Sequence, residues 1–439
     1  MTSMLLTQKI RINPTAEQAQ VLWDLSEKCR LLYNFALAER HQHWERNCMK
    51  PVAERTHITY LMQQNALPAL KVRYPEYAWV YSKVLQMTLK RLDADYKSFF
   101  ARWKRGDLNA SPPRFKGRNY FTTLCFNQSG FKINFKFRTI RFSHRHPANI
   151  ELCFLLSSMP PKEGDVKQVE LFQDVRKGWF VAITYSLDIP TYVDNGMYQA
   201  IDLGIINLFT AVNQYGKFIQ IRNRRPDLYW RKKLGEVQSR RDHCKKGSNK
   251  WHFYQNKFQK MRIKLTNQLR DFQHKISKRV VENTKANTLI IGDLAVKNMT
   301  RKNDSAVNPR WNKSLRTLHY SLQNTGFLGR FAQFLTYKAK RVGKRVTRID
   351  EAHSTQTCCI CGQIKKRSLS ERCIHCDCGT YLDRDQNAAV NIMIRFLSQQ
   401  PLANREPLQK FLRGLHRHTA LPSILRGVDS MKVPAIMQE

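Results

Sequence analysis

Six of the chain's 11 cysteines fall between Cys358 and Cys378. So many thiols in one short stretch rarely serve packing. Paired at close spacing and backed by glycine, they read as a zinc knuckle. Cys358 and Cys361 are separated by two residues, with Gly362 next. Cys376 and Cys378 are followed by Gly379, which lets backbone amides turn towards sulfur. These four are the chosen ligands of one structural Zn²⁺. Cys373 also makes a two-residue-spaced pair with Cys376 and so rivals Cys378, and His375 is a further alternative. The clustering points to metal rather than disulfides, and therefore to a reducing compartment.

Directly after the knuckle comes Asp383-Arg384-Asp385, then the helix-forming run Asn387-Ala388-Ala389-Val390-Asn391-Ile392. One of the two carboxylates can cap the helix while the other is free for a metal. Far upstream, the apolar strand Tyr198–Gly204 carries Asp202 near its end. Aspartate at a strand end usually serves a turn, so alone it says little. Together Asp202 and Asp385 could hold two Mg²⁺. That hard ion suits carboxylates plus a substrate phosphate, and a metal pair drives phosphodiester hydrolysis.

The charge agrees with such a substrate. Lys plus Arg is 75 against 34 Asp plus Glu, a formal +41. A body this basic repels itself unless a polyanion neutralises it. The basic residues run along the whole length, which suggests channels for nucleic acid rather than one patch. Aromatic residues interleave with them at Phe99–Arg105 and at Pro113-Arg114-Phe115-Lys116, a pattern suited to base stacking beside phosphate contacts. No run of about 18 apolar residues exists, and a soluble intracellular protein is expected.

Texture divides the chain. A strand over 5–12 is followed by Thr15 and Gln18, a capping box opening a helix to about Asn47. A second helix covers about 80–105, so 13–105 reads as a helical insertion. From 106 to 190, short alternating runs and turn signals predict a small antiparallel barrel joined by strand 1–12. After a linker near 190–196 the pattern becomes α/β over 196–353, with a long basic helix at 251–283 and strands ending at Gly292-Asp293 and Asp350-Glu351. The knuckle (354–382), a last core helix (383–398) and a C-terminal appendage without motif (399–439) follow.

The strand Ala200-Ile201-Asp202-Leu203-Gly204-Ile205, the segment Leu294-Ala295-Val296-Lys297-Asn298-Met299, the knuckle from Ser354 to Gly362 and the run from Asp383 to Ile392 resemble TnpB, the transposon-encoded RNA-guided DNA nuclease related to type V CRISPR effectors. The resemblance covers about residues 4–396. It implies an α+β multidomain fold: an RNase H-like (RuvC) α/β nuclease core with a zinc knuckle, a β-barrel wedge domain, and an all-helical recognition domain inserted into the wedge. It further implies a guide RNA and a target DNA as partners, with Arg114, Lys116 and Arg384 as nucleic-acid contacts. No membrane is implied, and the expected form is a monomer or weak dimer in the prokaryotic cytoplasm, associated with the nucleoid.

One position departs from the family. Its nuclease uses Asp, Glu and Asp, and the glutamate's place is taken by Gly292. In one reading Glu351, at the end of the next strand, replaces it; Asp293 and Asp350 are poorer substitutes, because adjacent strand residues point to opposite faces. The catalytic set is then Asp202, Glu351 and Asp385. In the other reading the nuclease is dead and the protein is an RNA-guided DNA-binding repressor. A DNA-joining transposase is a third reading, and a simple zinc-finger binding protein a fourth.

Overall fold

The computed structural model describes residues 2–174, 177–293, 328–368, 371–400 and 406–418. The chain divides into two compact units, Thr2–Asp188 and Ile189 onward. The segment Leu294–Met299, part of the family resemblance, lies outside the described residues.

The first unit begins with β1 (Thr2–Ile12) and α1 (Ala16–Asn47). The capping box is formed: the Thr15 hydroxyl accepts from the Gln18 amide at 3.2 Å, and the Gln18 side chain accepts from the Thr15 amide at 3.1 Å, which satisfies two donors that a helix start leaves orphaned. Two short helices, α2 (Tyr60–Asn65) and α3 (Leu67–Arg73), precede α4 (Ser82–Lys104). Leu22, Leu25 and Leu32 of α1 share one apolar core with Leu85, Leu89 and Leu92 of α4. The strands are β2 (Leu124–Asn127), β3 (Phe131–Asn134), β4 (Thr139–Phe142), β5 (Leu152–Leu155), β6 (Asp165–Gln173) and β7 (Trp179–Ile189). They form two sheets, one ordered β1-β7-β6-β2 and one β3-β4-β5. β1 lies beside β7, so in chain order the helices are inserted between the first strand and the other strands of its sheet.

The second unit is built on a five-stranded mixed sheet ordered β10-β9-β8-β11-β12. Its strands are β8 (Tyr198–Leu203), β9 (Asn207–Asn213), β10 (Phe218–Arg222), β11 (Thr288–Gly292) and β12 (Arg345–Ile349). β8, β9 and β10 are antiparallel neighbours, whereas β8, β11 and β12 run parallel. Every residue of β8 and β11 is buried, as expected for strands covered on both faces.

Between β10 and β11 stand α5 (Pro226–Asp242) and α6 (Asn249–Asn283), packed through Trp230, Leu234, Leu265 and Leu269. α7 (Leu328–Arg341) precedes β12. The hairpin β13 (Cys373–His375) and β14 (Tyr381–Asp383) leads into α8 (Arg384–Ser398). Within the C-terminal appendage, α9 (Glu406–His418) buries Phe411 and Leu415 in the same core as α8.

The sheet's two faces fix where the chemistry falls. Tyr198, Ala200, Ile290 and Ile349 pack with α8, while Ile201, Leu203, Leu289 and Ile291 pack with α7. Side chains alternate along a strand, so Asp202 and Gly292 belong to the α8 side, and the Glu351 carboxyl, just past the end of β12, reaches the space beside Gly292. Among the described residues no helix is long and apolar enough to cross a membrane.

Candidate active site and metal centre

Asp202 is the fifth residue of β8 and is 7% exposed. Burial pushes its carboxyl well above the usual range; the carboxylates of Asp385 and Glu351 push it further, and Arg384 opposes them. Asp385 comes from the first turn of α8. The cap of that helix is Asp383, whose Oδ1 accepts from the Asp385 and Gln386 amides at 2.9 and 3.2 Å. One aspartate therefore caps and the other is released to the site. Asp385 Oδ2 accepts from Asn207 Nδ2 at 2.9 Å and from Arg372 Nη2 at 2.8 Å.

The third carboxylate bears on the missing glutamate. Gly292 and Ile349 are paired across β11 and β12, and Glu351 lies two residues past Ile349. A Cβ built on Gly292 would lie 1.9 Å from Glu351 Oε2 and 2.9 Å from its Cδ. The Glu351 carboxyl thus occupies the space that a side chain at 292 would fill. Its Oε2 is buried and has no hydrogen-bond partner, and leaving such an atom unmatched is costly. Burial raises this carboxyl to about 7, with Asp293 and Asp350 adding to the shift and Arg395 opposing it. The two rivals turn away: Asp293 is exposed and paired with Arg348 at 3.0 Å, and Asp350 is exposed and accepts from the Ala352 amide.

A linked pH effect follows. A carboxyl whose folded pKa is raised binds its proton more tightly when folded, so its contribution is full below about 4.5 and is lost as pH rises through 7. In Mg²⁺-free buffer the wild type is expected to lose about 2 kcal/mol relative to Glu351→Gln between pH 5 and pH 8, allowing for partial exposure. Melting curves of both at the two pH values test this; equal losses would reject it.

The knuckle is built from two tight turns. Gly362 and Gly379 have φ of +75° and +86°, values that favour glycine. The Gly362 amide donates to Cys358 O, and the Gly379 amide donates to Cys376 O. The sulfurs of Cys358, Cys361, Cys376 and Cys378 all lie within 4.8 Å of one another. Cys358–Cys378 are 3.7 Å apart and Cys361–Cys376 3.5 Å. Four soft donors gathered this tightly suit tetrahedral Zn²⁺. Cys373 and His375 stand outside the group, on β13, with the His375 ring 4.6 Å from that of Tyr381. Cys361→Ser is expected to release the zinc and lower the melting temperature. A full zinc complement in the variant, measured by atomic absorption, would reject Cys361 as a ligand. The three carboxylates are not drawn together as tightly as the sulfurs.

Two asparagines tie the knuckle to the carboxylates. Asn387 Nδ2 donates to Ser354 O and Thr357 O, its Oδ1 accepts from the Cys359 amide, and Asn391 Nδ2 donates to the same two carbonyls. Asn387 is fully buried. Sequence reading treats these asparagines only as part of a helix-forming run; their spacing of four, one turn of a helix, is the signal that both face one way. The roles of Arg372 and Asn207 at Asp385 carry no such signal.

The remaining candidates are not brought together. Arg114 is exposed in the first unit. Lys116, two residues on, is half-buried with Nζ 3.7 Å from the Tyr33 ring centroid. Burial lowers its pKa to about 8, Arg91 adding to the shift and Asp95 and Cys29 opposing it. Arg384, in the second unit, donates to Ser368 O and Thr355 Oγ1. Lys116 and Arg384 are thus engaged in the protein's own contacts rather than presented on open surface.

Comparisons with known proteins bear on the family. Residues 183–303 match the OrfB IS605 family, described as "Probable transposase", and residues 329–392 match a domain described as "Cas12f1-like, TNB domain". Residues 1–48 match a domain of the same OrfB family described as "Helix-turn-helix domain", although here they form β1 and the single helix α1. A "Putative RNA-guided DNA endonuclease" of Streptomyces pristinaespiralis is 28% identical over 395 residues, 88% of either chain. These matches support a TnpB family member.

A second relative, "Putative RNA-guided DNA endonuclease InsQ" of Escherichia coli K12, is 26% identical over 407 residues, covering 88% of this chain and 90% of its own. A Cas12f1 structure in complex with single-guide RNA and target DNA overlaps 89% of this chain and 98% of its own, at 13% identity and a TM-score of 0.49; a likeness that weak carries nothing by itself.

Proposed function

We propose that this chain is an RNA-guided DNA endonuclease that hydrolyses phosphodiesters with Asp202, Glu351 and Asp385. The observation that carries the reading is the placement of the Glu351 carboxyl, on which the space beside Gly292, the α8 side of the sheet and an unmatched buried oxygen all converge. The donor set fits hard cations: three carboxylates, one with an oxygen that has no protein partner. Asp202, Glu351 and Asp385 would hold Mg²⁺, which when bound supplies an activated water and stabilises the departing 3′-oxygen. The residues' own work is positional. The Asp383 cap frees Asp385, Asn207 and Arg372 orient it, and Asp202 is held on a strand buried throughout.

The five-stranded sheet with α7 and α8 is the RuvC-like nuclease core in this reading, and β1–β7 form the wedge into which α1–α4 are inserted as the recognition domain. Zinc on the four cysteines braces the knuckle, and Asn387 and Asn391 transmit that bracing to the helix that carries Asp385. The guide RNA and the target DNA neutralise the +41 charge, with Arg114 on phosphate and Lys116 and Arg384 shaping the surfaces around it. Base pairing selects the target beside a short motif read by the protein.

The test is protein purified with its RNA, given Mg²⁺ and a plasmid carrying the guide-matched target beside a randomised flank. Cutting at the matched site is expected. Tight guided binding without cutting would replace this reading with the repressor, and DNA binding that needs no RNA would replace it with the transposase.

A further inference from the structure

Within the first unit, the C-terminal halves of α1 and α4 line a cavity of about 680 Å³. This lies in the size range of small-ligand pockets. None of the carboxylates or cysteines described above lines it. Its walls are of two kinds. Trp44, Tyr96, Phe99, Phe100 and Trp103 supply rings; Arg40, His41, His43, His57 and Lys97 supply nitrogen donors.

The rings are left bare. Trp44, Phe100 and Trp103 are 54%, 49% and 65% exposed. A chain that buries Leu85, Leu89 and Leu92 of α4 fully, yet leaves the ring cluster of that helix's last turns open, holds that cluster for something other than its own core. The rings are also ordered among themselves. Tyr96 and Phe100 are stacked with centroids 6.2 Å apart and an interplanar angle of 24°, and the Arg40 guanidinium lies 5.4 Å from the Tyr96 centroid. Aromatic faces next to fixed cations are what successive unpaired bases and their phosphates require.

The acidic groups narrow the occupant. Asp93 is spent within the wall, paired with Arg40 at 3.3 Å and Lys97 at 3.0 Å. Glu45 also lines the cavity and is exposed. A carboxylate repels phosphate but accepts from a sugar hydroxyl, and the 2′-hydroxyl is the group that distinguishes RNA from DNA. At the end of α4, its last residue Lys104 and the following Arg105 are exposed. A second copy of this chain is a poor occupant, because it brings the same excess of positive charge.

We infer that this cleft is a stacking site for unpaired nucleotides of RNA, with bases against Trp103, Phe100 and Trp44, phosphate on Lys97 and Lys104, and a ribose hydroxyl on Glu45. The inference rests on the RNA-guided reading only for which RNA is bound in the cell, namely an unpaired stretch of the guide. Its chemistry stands on the cleft alone.

The experiment uses the full chain stripped of nucleic acid and fluorescein-labelled hexaadenylate RNA, with the deoxy hexamer as comparison. Binding is read by anisotropy at about 0.3 M salt, where the non-specific phosphate attraction is strongly reduced. The RNA hexamer is expected to bind several-fold more tightly than its DNA counterpart. Trp103→Ala and Phe100→Ala should each weaken it about tenfold, and Glu45→Gln should shrink the preference for RNA. Trp103 and Phe100 are exposed enough that melting temperature and zinc content should not move, and both are measured. Unchanged affinity in both ring variants overturns the site. Equal affinity for the two hexamers overturns the choice of RNA. A Trp103→Ala variant that loses a dimer seen by light scattering in the wild type would assign the cleft to a copy interface instead. Plasmid cutting is scored separately with the copurified RNA, so its failure bears on the nuclease reading and not on the cleft.

Discussion

Asp385→Ala is expected to lower guided DNA cutting by at least about a thousandfold, on the order of 4 kcal/mol of transition-state stabilisation, while RNA binding stays within twofold of wild type. The first half follows from the chemistry: Asp385 is one of three carboxylates, and a missing anionic ligand weakens the ions' hold and their alignment. The second half follows from position. Asp385 is buried in the first turn of α8, against Arg372, so its loss leaves the basic surfaces of both units as they are. Arg372 retains partial access to water once its partner is gone, so no charge is stranded in an apolar interior. Asp385→Asn is the second variant to make, since it keeps an oxygen for Asn207 and Arg372 but removes the charge. It should be as inactive as the alanine. Cutting in either variant at a tenth of the wild-type rate or more would remove Asp385 from the catalytic set.

The sheet was legible because its strands are short apolar runs with turn chemistry between them; Asn213–Gly216, for instance, closes the hairpin of β9 and β10 with Gly216 at φ +80°. α6 was legible from its apolar stripe. α5 was not. Trp230, Leu234 and Val237 are its apolar anchors, but they stand among arginines and lysines, and Leu228 and Tyr229 beside them remain exposed. The helix is held by packing on α6, which no local pattern reports. The site shows the same division. Asp202 and Asp385 stand out because each sits at the end of a recognisable element. The contacts of Arg372 and Asn207 with Asp385 span 13 and 178 residues and depend on how the knuckle folds back. The expected barrel depended likewise on long-range closure, and the described strands pair as two sheets instead. Glu351 was reachable by parity alone, counting from Gly292 across to the neighbouring strand, but only the register of β11 with β12 places its carboxyl in that space.

That placement leads to an exchange. Glu351→Ala should lose cutting by about the same factor as Asp385→Ala, because it too removes a ligand. Gly292→Glu by itself should also impair the enzyme: a Cβ at 292 would sit 1.9 Å from Glu351 Oε2, so two side chains cannot share the space and one is forced off its rotamer. The double variant Gly292→Glu with Glu351→Ala should recover to within about tenfold of wild type. Gly292 is not among the residues with positive φ, so the backbone there accepts a side chain, and the new glutamate enters from β11 into the volume that Glu351 vacates. Two damaging substitutions that repair one another form a non-additive cycle, which arises only when the residues share one space or one partner. If Gly292 instead marked a retired site, Glu351→Ala would change nothing in guided binding, and neither variant would have cutting to lose. If Glu351 were an ordinary turn residue of a live nuclease, its alanine variant would still cut, and Gly292→Glu would cost no more than local crowding. The single and double rates, measured on one guide-matched plasmid, therefore separate a carboxylate that has moved along the chain from one that has been lost.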